Sequence, residues 1–204
     1  MQNFSDKIHF GEKGAGPFIN VLERVTRLSQ GIKKAFHSAF KEVHYKRGTI
    51  LLKEGKKCDT AYFMVTGIAR LYYHIDGREI TNRFIEINGV AISYYSFFSK
   101  KPSFEYIDLV EDSTMLSIKR TDLDKIYSDF PELHKVMQVM LQQSHVESEE
   151  RAMILRRLSA KEKYAVMIER FPVIFLKATT EQLASFLGIT RETLSRIRSG
   201  QMIL

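Results

Sequence analysis

The chain has 204 residues, 44 % of them hydrophobic and only one a cysteine, and its 31 Lys and Arg against 24 Asp and Glu give a formal net charge of +7. That length and apolar share support one large or two small domains with real cores and argue against global disorder, while a lone Cys58 cannot form an internal disulfide or a four-thiolate metal or iron–sulfur site. A pI near 9.4 favours a polyanionic partner such as nucleic acid, and with no apolar run near the roughly 18 residues that span a membrane and no signal-peptide pattern, a cytoplasmic location without membrane contact is expected.

Residues 1–20 contain Gly11, Gly14, Gly16 and Pro17 without periodicity and read as an N-terminal arm. From Phe18 to Phe40 the apolar residues Ile19, Leu22, Val25, Leu28, Ile32, Ala35 and Phe36 recur at three- and four-residue steps. This predicts an amphipathic helix, or a helix pair broken near Gly31.

Between Val43 and Ile118 the pattern changes to short runs of β-branched and aromatic residues (49–52, 61–65, 68–75, 79–87, 106–110 and 115–118) punctuated by Gly48, Gly55, Gly67, Gly77 and Gly89. Regular short strands with turn signals predict a β-sandwich or jelly roll, and Asp76-Gly77 predicts a tight two-residue hairpin. After the strands, 121–127 reads as a short helix capped by Thr121. A longer helix follows, with Asp129 as its cap and Pro131 in its first turn. Running from about Pro131 to Leu158 it would be about 42 Å long. Its apolar residues Leu133, Val136, Met137, Met140 and Leu141, and later Met153, Ile154, Leu155 and Leu158, leave a polar middle in which Val146 is the one large apolar side chain. A dimer seam and an intramolecular brace both fit this stripe.

Ser159-Ala160-Lys161-Glu162 and Thr179-Thr180-Glu181-Gln182 are capping boxes, each opening a helix, the first of which stops before Pro172. In the segment 159–204 seven Lys and Arg stand against four Asp and Glu. Beyond the second box, Leu183, Leu187, Ile189, Leu194 and Ile197 are spaced for burial, Ala184 is small where two helices would meet, and Gly188 can take the positive φ of a sharp turn. This is the arrangement of a helix-turn-helix, with Thr190 capping its second helix. Arg191, Glu192, Ser195 and Arg196 then share its outward face, and these side chains can read base edges: Arg forks onto guanine, Glu accepts from cytosine, Ser serves several bases. Thr180, Thr190, Thr193 and Arg198 flank that face as candidate phosphate contacts. A plain helix hairpin with a solvated charged face is the bland alternative.

The run Leu187 to Ile197 resembles the helix-turn-helix of Crp/Fnr-type bacterial transcription regulators. Gly48 to Gly55 and Tyr62 to Gly67 resemble the glycine frame of the cyclic-nucleotide-binding β-roll, and Asp129-Phe130-Pro131-Glu132-Leu133 resembles the start of that family's dimerisation helix. The resemblance covers roughly residues 20–200. It implies an α+β chain: an N-terminal arm (1–20), a cyclic-nucleotide-binding-like β-roll or jelly-roll sensor domain (21–128), a dimerisation helix (129–158) seamed by Leu133, Val136, Met137, Met140, Leu141, Ile154 and Leu155, and a helical, winged-helix-like helix-turn-helix domain (159–204). Only four residues follow Gly200, so the wing is expected to be short or missing. The partners implied are double-stranded DNA with an inverted-repeat operator, a second copy of the chain, RNA polymerase and a small-molecule effector. By the same resemblance, Glu192 and Arg196 contact the core base pairs of each half-site, while Arg191 and Ser195 vary in role.

The effector region departs from that family's pattern. Where cyclic-AMP-binding members carry a Gly-Glu pair and then an Arg-Ser pair, this chain has Ile92-Ser93 and Ser103-Phe104, so the carboxylate for the ribose and the guanidinium for the phosphate are both absent. Ser93, Tyr94, Tyr95, Phe97, Phe98, Phe104 and Tyr106 occupy the region as an apolar effector pocket or a filled core. One cysteine argues against an iron–sulfur cluster, and His9, His37, His44, His74, His134 and His145 are scattered without the pairing a haem would need, so no cofactor or metal is expected. A jelly-roll enzyme would need clustered ligands where the strands offer only His44 and His74, so no catalytic residue is assigned. A small-molecule-binding or protein-interaction module of the same fold with weak DNA binding is the alternative function.

Overall fold

The computed structural model describes residues 14–200. The chain is helical from Gly16, earlier than the arm predicted for 1–20 allows: α1 (Gly16–Glu23) has Pro17 in its first turn and buries Phe18, Ile19 and Leu22. The part of that arm before residue 14 lies outside the described residues. The helix pair expected to break near Gly31 breaks earlier, because Ser29 accepts the Ile32 N–H and starts α2 (Gln30–Ala39) with Gly31 already inside its first turn.

Eight strands follow: β1 (Lys41–Tyr45), β2 (Ile50–Leu52), β3 (Thr60–Thr66), β4 (Ala69–Ile75), β5 (Arg78–Ile85) and β6 (Val90–Ala91), then after a short helix α3 (Tyr94–Ser99), β7 (Tyr106–Leu109) and β8 (Ser113–Lys119). They form two four-stranded sheets, ordered β1-β8-β3-β6 and β2-β7-β4-β5, with every pair antiparallel. Phe63, Leu71, Ile107, Leu109, Met115 and Leu116 are almost wholly buried in the core. The predicted 76–77 hairpin is present: Ile75 pairs with Arg78, and Asp76 and Gly77 both have positive φ, 50° and 75°. At Gly67 (φ 90°) a Cβ would stand 2.1 Å from the Ser113 Oγ, so only glycine lets β3 turn into β4 against β8.

Two predicted caps are corrected. The helix α4 (Arg120–Asp129) starts before Thr121, with Lys119 at its N-cap, and Asp129 ends α4 instead of capping the next helix. That helix, α5 (Leu133–Arg157), has Glu132 at its N-cap without a side-chain bond. Both capping boxes are present as predicted, opening α6 (Ala160–Arg170) from Ser159 and α8 (Thr180–Leu187) from Thr179. Between them Pro172 starts a further helix, α7 (Pro172–Lys177), and α9 (Arg191–Arg198) closes the described chain.

The long helix belongs to both ends of the molecule. Leu133 and Val136 are buried in the core of the β-roll and Ile154 in the core of the C-terminal helices, so these three brace the chain and are not free for a dimer seam. Met137, Met140 and Leu155 are half-buried, and Leu141 is exposed. The least covered stripe runs at seven-residue steps from the half-buried Val139 through Val146, 54 % exposed, to Met153, 45 % exposed.

Candidate functional site

The C-terminal helices 159–200 present the candidate DNA-reading face. Leu183 and Leu187 on α8 and Leu194 on α9 have no exposed surface, and Ala184 is buried where the helices meet. Gly188 ends α8 at φ 63°, its N–H donating to the Ser185 carbonyl at 3.1 Å while the Ile189 N–H donates to that of Ala184 at 3.0 Å. Thr190 Oγ1 accepts the Thr193 N–H at 3.1 Å and starts α9. With Leu194 inward, Arg191, Glu192, Ser195 and Arg196 are all exposed, together on one face.

Those four are not equally free. Arg191 pairs with Glu181 on α8 at 2.7 Å. The Glu192 carboxylate folds back on its own backbone N–H and on the Thr190 hydroxyl, which hold it below the usual carboxylate range. Among the described residues the Arg196 guanidinium makes no hydrogen bond or ion pair, and only its backbone carbonyl is engaged, by the Ser199 hydroxyl at 3.1 Å. Of the candidate phosphate contacts, Thr190 and Thr193 share a hydroxyl contact of 3.0 Å within the cap, Thr180 lies in the first turn of α8, and Arg198 is exposed in the last turn of α9.

The region read as an effector pocket or a filled core divides into four places instead of one. Ser93 belongs to a buried polar cluster: its hydroxyl donates to Glu105 at 3.0 Å, Asn82 Nδ2 donates to the same carboxylate at 2.7 Å, and Ser103 bonds Ser93 at 3.1 Å. Glu105 is 4 % exposed, so a buried carboxylate stands beside the two serines. Tyr94 and Phe97 line an apolar cavity instead. Tyr95 and Phe104 pack on each other at the surface, ring centroids 5.0 Å apart, and Tyr106 stacks on Tyr72 at 5.2 Å. Alternation along β7 sends Tyr106 to the opposite face from Ile107, and the turn into α3 separates Ser93 from Tyr95.

Of the histidines, His37 accepts from the Ala15 N–H, His44 contacts Thr114, and His134 bonds the Pro131 carbonyl, while His9 lies outside the described residues. Among the described residues no group of three or more His, Cys, Asp and Glu is placed to hold a metal ion, and no helix is long and apolar enough to cross a membrane. Cys58 is buried, and desolvation pushes its thiol pKa up.

Two functional features escaped the sequence reading. Arg70 is buried (3 %) and forks onto Asp108 at 3.0 and 2.6 Å while reaching Glu79 at 2.7 Å. Burial alone lowers its pKa, but the carboxylates of Asp108 and then Glu79 outweigh that and the net shift is upward. The second feature joins the two ends of the molecule. Ser185 on α8 accepts the Thr81 N–H at 2.7 Å and donates to the Glu79 carbonyl at 3.0 Å, so it fills hydrogen bonds along β5, the edge of its sheet. Around it Phe186 packs edge-on against Phe84, and Arg151 of α5 lies 3.9 Å over the Phe186 ring and donates to the Phe186 carbonyl at 2.8 Å. Neither feature leaves a local pattern, since the partners are 38 residues apart for Arg70 and Asp108 and 104 for Thr81 and Ser185.

Residues 42–130 match the family model of the cyclic nucleotide-binding domain. No curated protein sequence matches the chain. Among solved structures it is similar to FixK2 from Bradyrhizobium japonicum, at 21 % identity over 79 % of this chain and 83 % of that one with a TM-score of 0.70. It is also similar to a crp/fnr-family transcriptional regulator from Eubacterium rectale (21 %, 85 % and 84 %, 0.68). The c-di-GMP-responsive global regulator CLP of Xanthomonas campestris matches at 16 % identity over 85 % and 91 %, with a TM-score of 0.65. At these identities the likeness is one of fold.

Proposed function

We propose that this chain, a cyclic-nucleotide-binding-like domain joined to a helix-turn-helix in the fold of the Crp/Fnr-family regulators, is a sequence-specific DNA-binding transcription regulator with no catalytic role. The observation that carries this reading is α9: Leu194 is fully buried while Arg191, Glu192, Ser195 and Arg196 are exposed together on a helix fixed by a glycine turn and a threonine cap. Arg196, unpartnered, is the base reader. Arg191 reaches DNA with donors that its Glu181 contact leaves over, or by giving up that exposed pair at small cost.

Selection of binding sites from random duplex DNA by the purified protein is expected to yield an inverted repeat with one half-site per recognition helix. Arg196→Ala is expected to cost about 1–3 kcal/mol on the selected site and to relax specificity at the base pair it reads. Unchanged binding by Arg196→Ala would remove α9 as the reading face. Failure to select any sequence would leave the module reading, in which the same fold binds a small molecule or a protein.

The inverted repeat requires two copies, and the stripe Val139, Val146 and Met153 is their seam. Val146→Glu places a charge at its centre and is expected to turn a dimer of the parent protein into a monomer in equilibrium sedimentation at micromolar concentration. A parent that sediments as a monomer would refute the seam.

The effector is not cyclic AMP held in the usual mode. A buried Glu105 carboxylate bonded to Ser93 and Asn82 stands where a cyclic phosphate would need a cation, and it repels an anion. RNA polymerase is the further partner this reading implies, from the cytoplasm where DNA is transcribed.

A further inference from the structure

The apolar cavity that Tyr94 and Phe97 line has a volume of about 80 Å³ and lies between the β3–β6 side of the roll and the helices α1, α4 and α5, walled by residues such as Phe18, Phe63, Ile118 and Met140. Every wall residue is hydrophobic or aromatic. Beside it runs a groove of about 420 Å³ whose polar rim is made by Lys100, Arg120, Asp124, Ser128 and His134. Phe97, Phe98, Leu123, Tyr127 and Met137 line both, so the two spaces adjoin along one apolar wall and together make a recess with an apolar side and a polar rim.

The charge at the rim is unbalanced. Lys100 and Arg120 are cations and Asp124 is the one carboxylate there, 3.9 Å from Arg120, too long for a good hydrogen bond. The Arg120 Nε is buried and has no acceptor among the described residues. His134 gives its Nδ1–H to the Pro131 carbonyl. Buried donors left unpaired are rare in proteins and call for a partner.

We propose that this recess binds a monocarboxylate with a saturated hydrocarbon tail: the tail enters the apolar cavity, and the carboxylate lies at the groove against Arg120 and Lys100. The cavity lining is apolar throughout, which suits a hydrocarbon end without a polar group. Asp124 at the rim selects a single negative charge over a phosphate, because a dianion would meet it at close range. The site is separate from the Ser93, Ser103 and Glu105 cluster. It also lies against α4 and α5, so occupation bears on the helix that links the roll to the DNA-reading domain.

The test is an isothermal titration of the purified full-length protein, without DNA, with sodium octanoate, 1-octanol and propanoate. One octanoate per chain is expected, at least tenfold tighter than octanol, which lacks the charge, while propanoate, which lacks the tail, gives no heat of binding. Arg120→Gln is expected to weaken octanoate about tenfold and to leave octanol unchanged, with Lys100→Gln as a second exposed variant should the first not fold. Octanoate that gives no heat, or that binds both variants as tightly as the parent, overturns the proposal. Because no DNA is present, that result is independent of the binding-site selection above.

Discussion

Arg70→Met is expected to lower the free energy of unfolding by about 3–5 kcal/mol, the cost of removing one member of a buried ion network. The guanidinium lies on β4 with a bidentate grip on Asp108 of β7 and a third bond to Glu79 of β5, so one side chain ties three adjacent strands of a sheet. Removing it leaves Asp108, whose side chain is 14 % exposed, as a nearly buried carboxylate without a cation. Glu79, 47 % exposed, is answered by water and contributes little. Asp108 therefore carries most of the effect, and the double variant Arg70→Met, Asp108→Leu is expected to recover most of the loss, since a well-packed apolar pair replaces a buried ionic one at small cost. Urea denaturation of the three proteins checks this. A loss under about 1 kcal/mol for Arg70→Met would mean that the Asp108 carboxylate is better hydrated than its burial implies. The variant also has a remote consequence: Glu79 supplies the carbonyl that Ser185 bonds, so exchange of the neighbouring Thr81 amide is expected to accelerate with the network gone.

The difference between what the sequence disclosed and what it hid follows the range of each interaction. The helix-turn-helix was legible because its determinants are local: Thr179 and Gln182, Gly188, and Thr190 and Thr193 each act within three or four residues, and each has a chemistry only a few residue types supply. The hairpin at Asp76-Gly77 was legible for the same reason. The break between α1 and α2 was misplaced because Gly31 is conspicuous and Ser29 is not, although the Ser29 hydroxyl sets the start of α2. The short helix α3 has six residues, four of them aromatic, without a side-chain cap, so no local signal marks it as a helix. The stripe on α5 misled in a different way. Apolar residues for a brace and for a dimer seam look alike in sequence, and only the burial of Leu133, Val136 and Ile154 separates them from Val146 and Met153. Arg70, Glu105 and Ser185 were invisible because a polar side chain carries no mark of burial until its partners arrive from other strands and helices.

Phe186→Ala is expected to cost about 3–5 kcal/mol, the range for truncating a buried aromatic. The ring, 3 % exposed, is where the C-terminal helices meet the rest of the chain. Phe84 of β5 and Phe171 beyond α6 meet it edge-on, with centroids at 5.0 and 6.0 Å, and the Arg151 guanidinium of α5 covers its face. Burial pushes the Arg151 pKa down to about 10, so this cation depends on the ring and on the Phe186 carbonyl for its stability. Truncation thus opens a cavity and weakens the support of a desolvated charge at once. Stability alone does not distinguish a docked domain from a well-packed helix, and a double-mutant cycle does. If the C-terminal helices are held on β5 by this contact, Phe84→Ala and Phe186→Ala remove the same interaction, and the pair falls short of the sum of the single losses by 0.5 kcal/mol or more, on the order of couplings between touching residues. Strict additivity would mean that the two rings do not meet in solution and that α9 is not fixed relative to α5. In the dimer proposed above, the placing of the two α9 helices would then be set by the DNA and not by the protein.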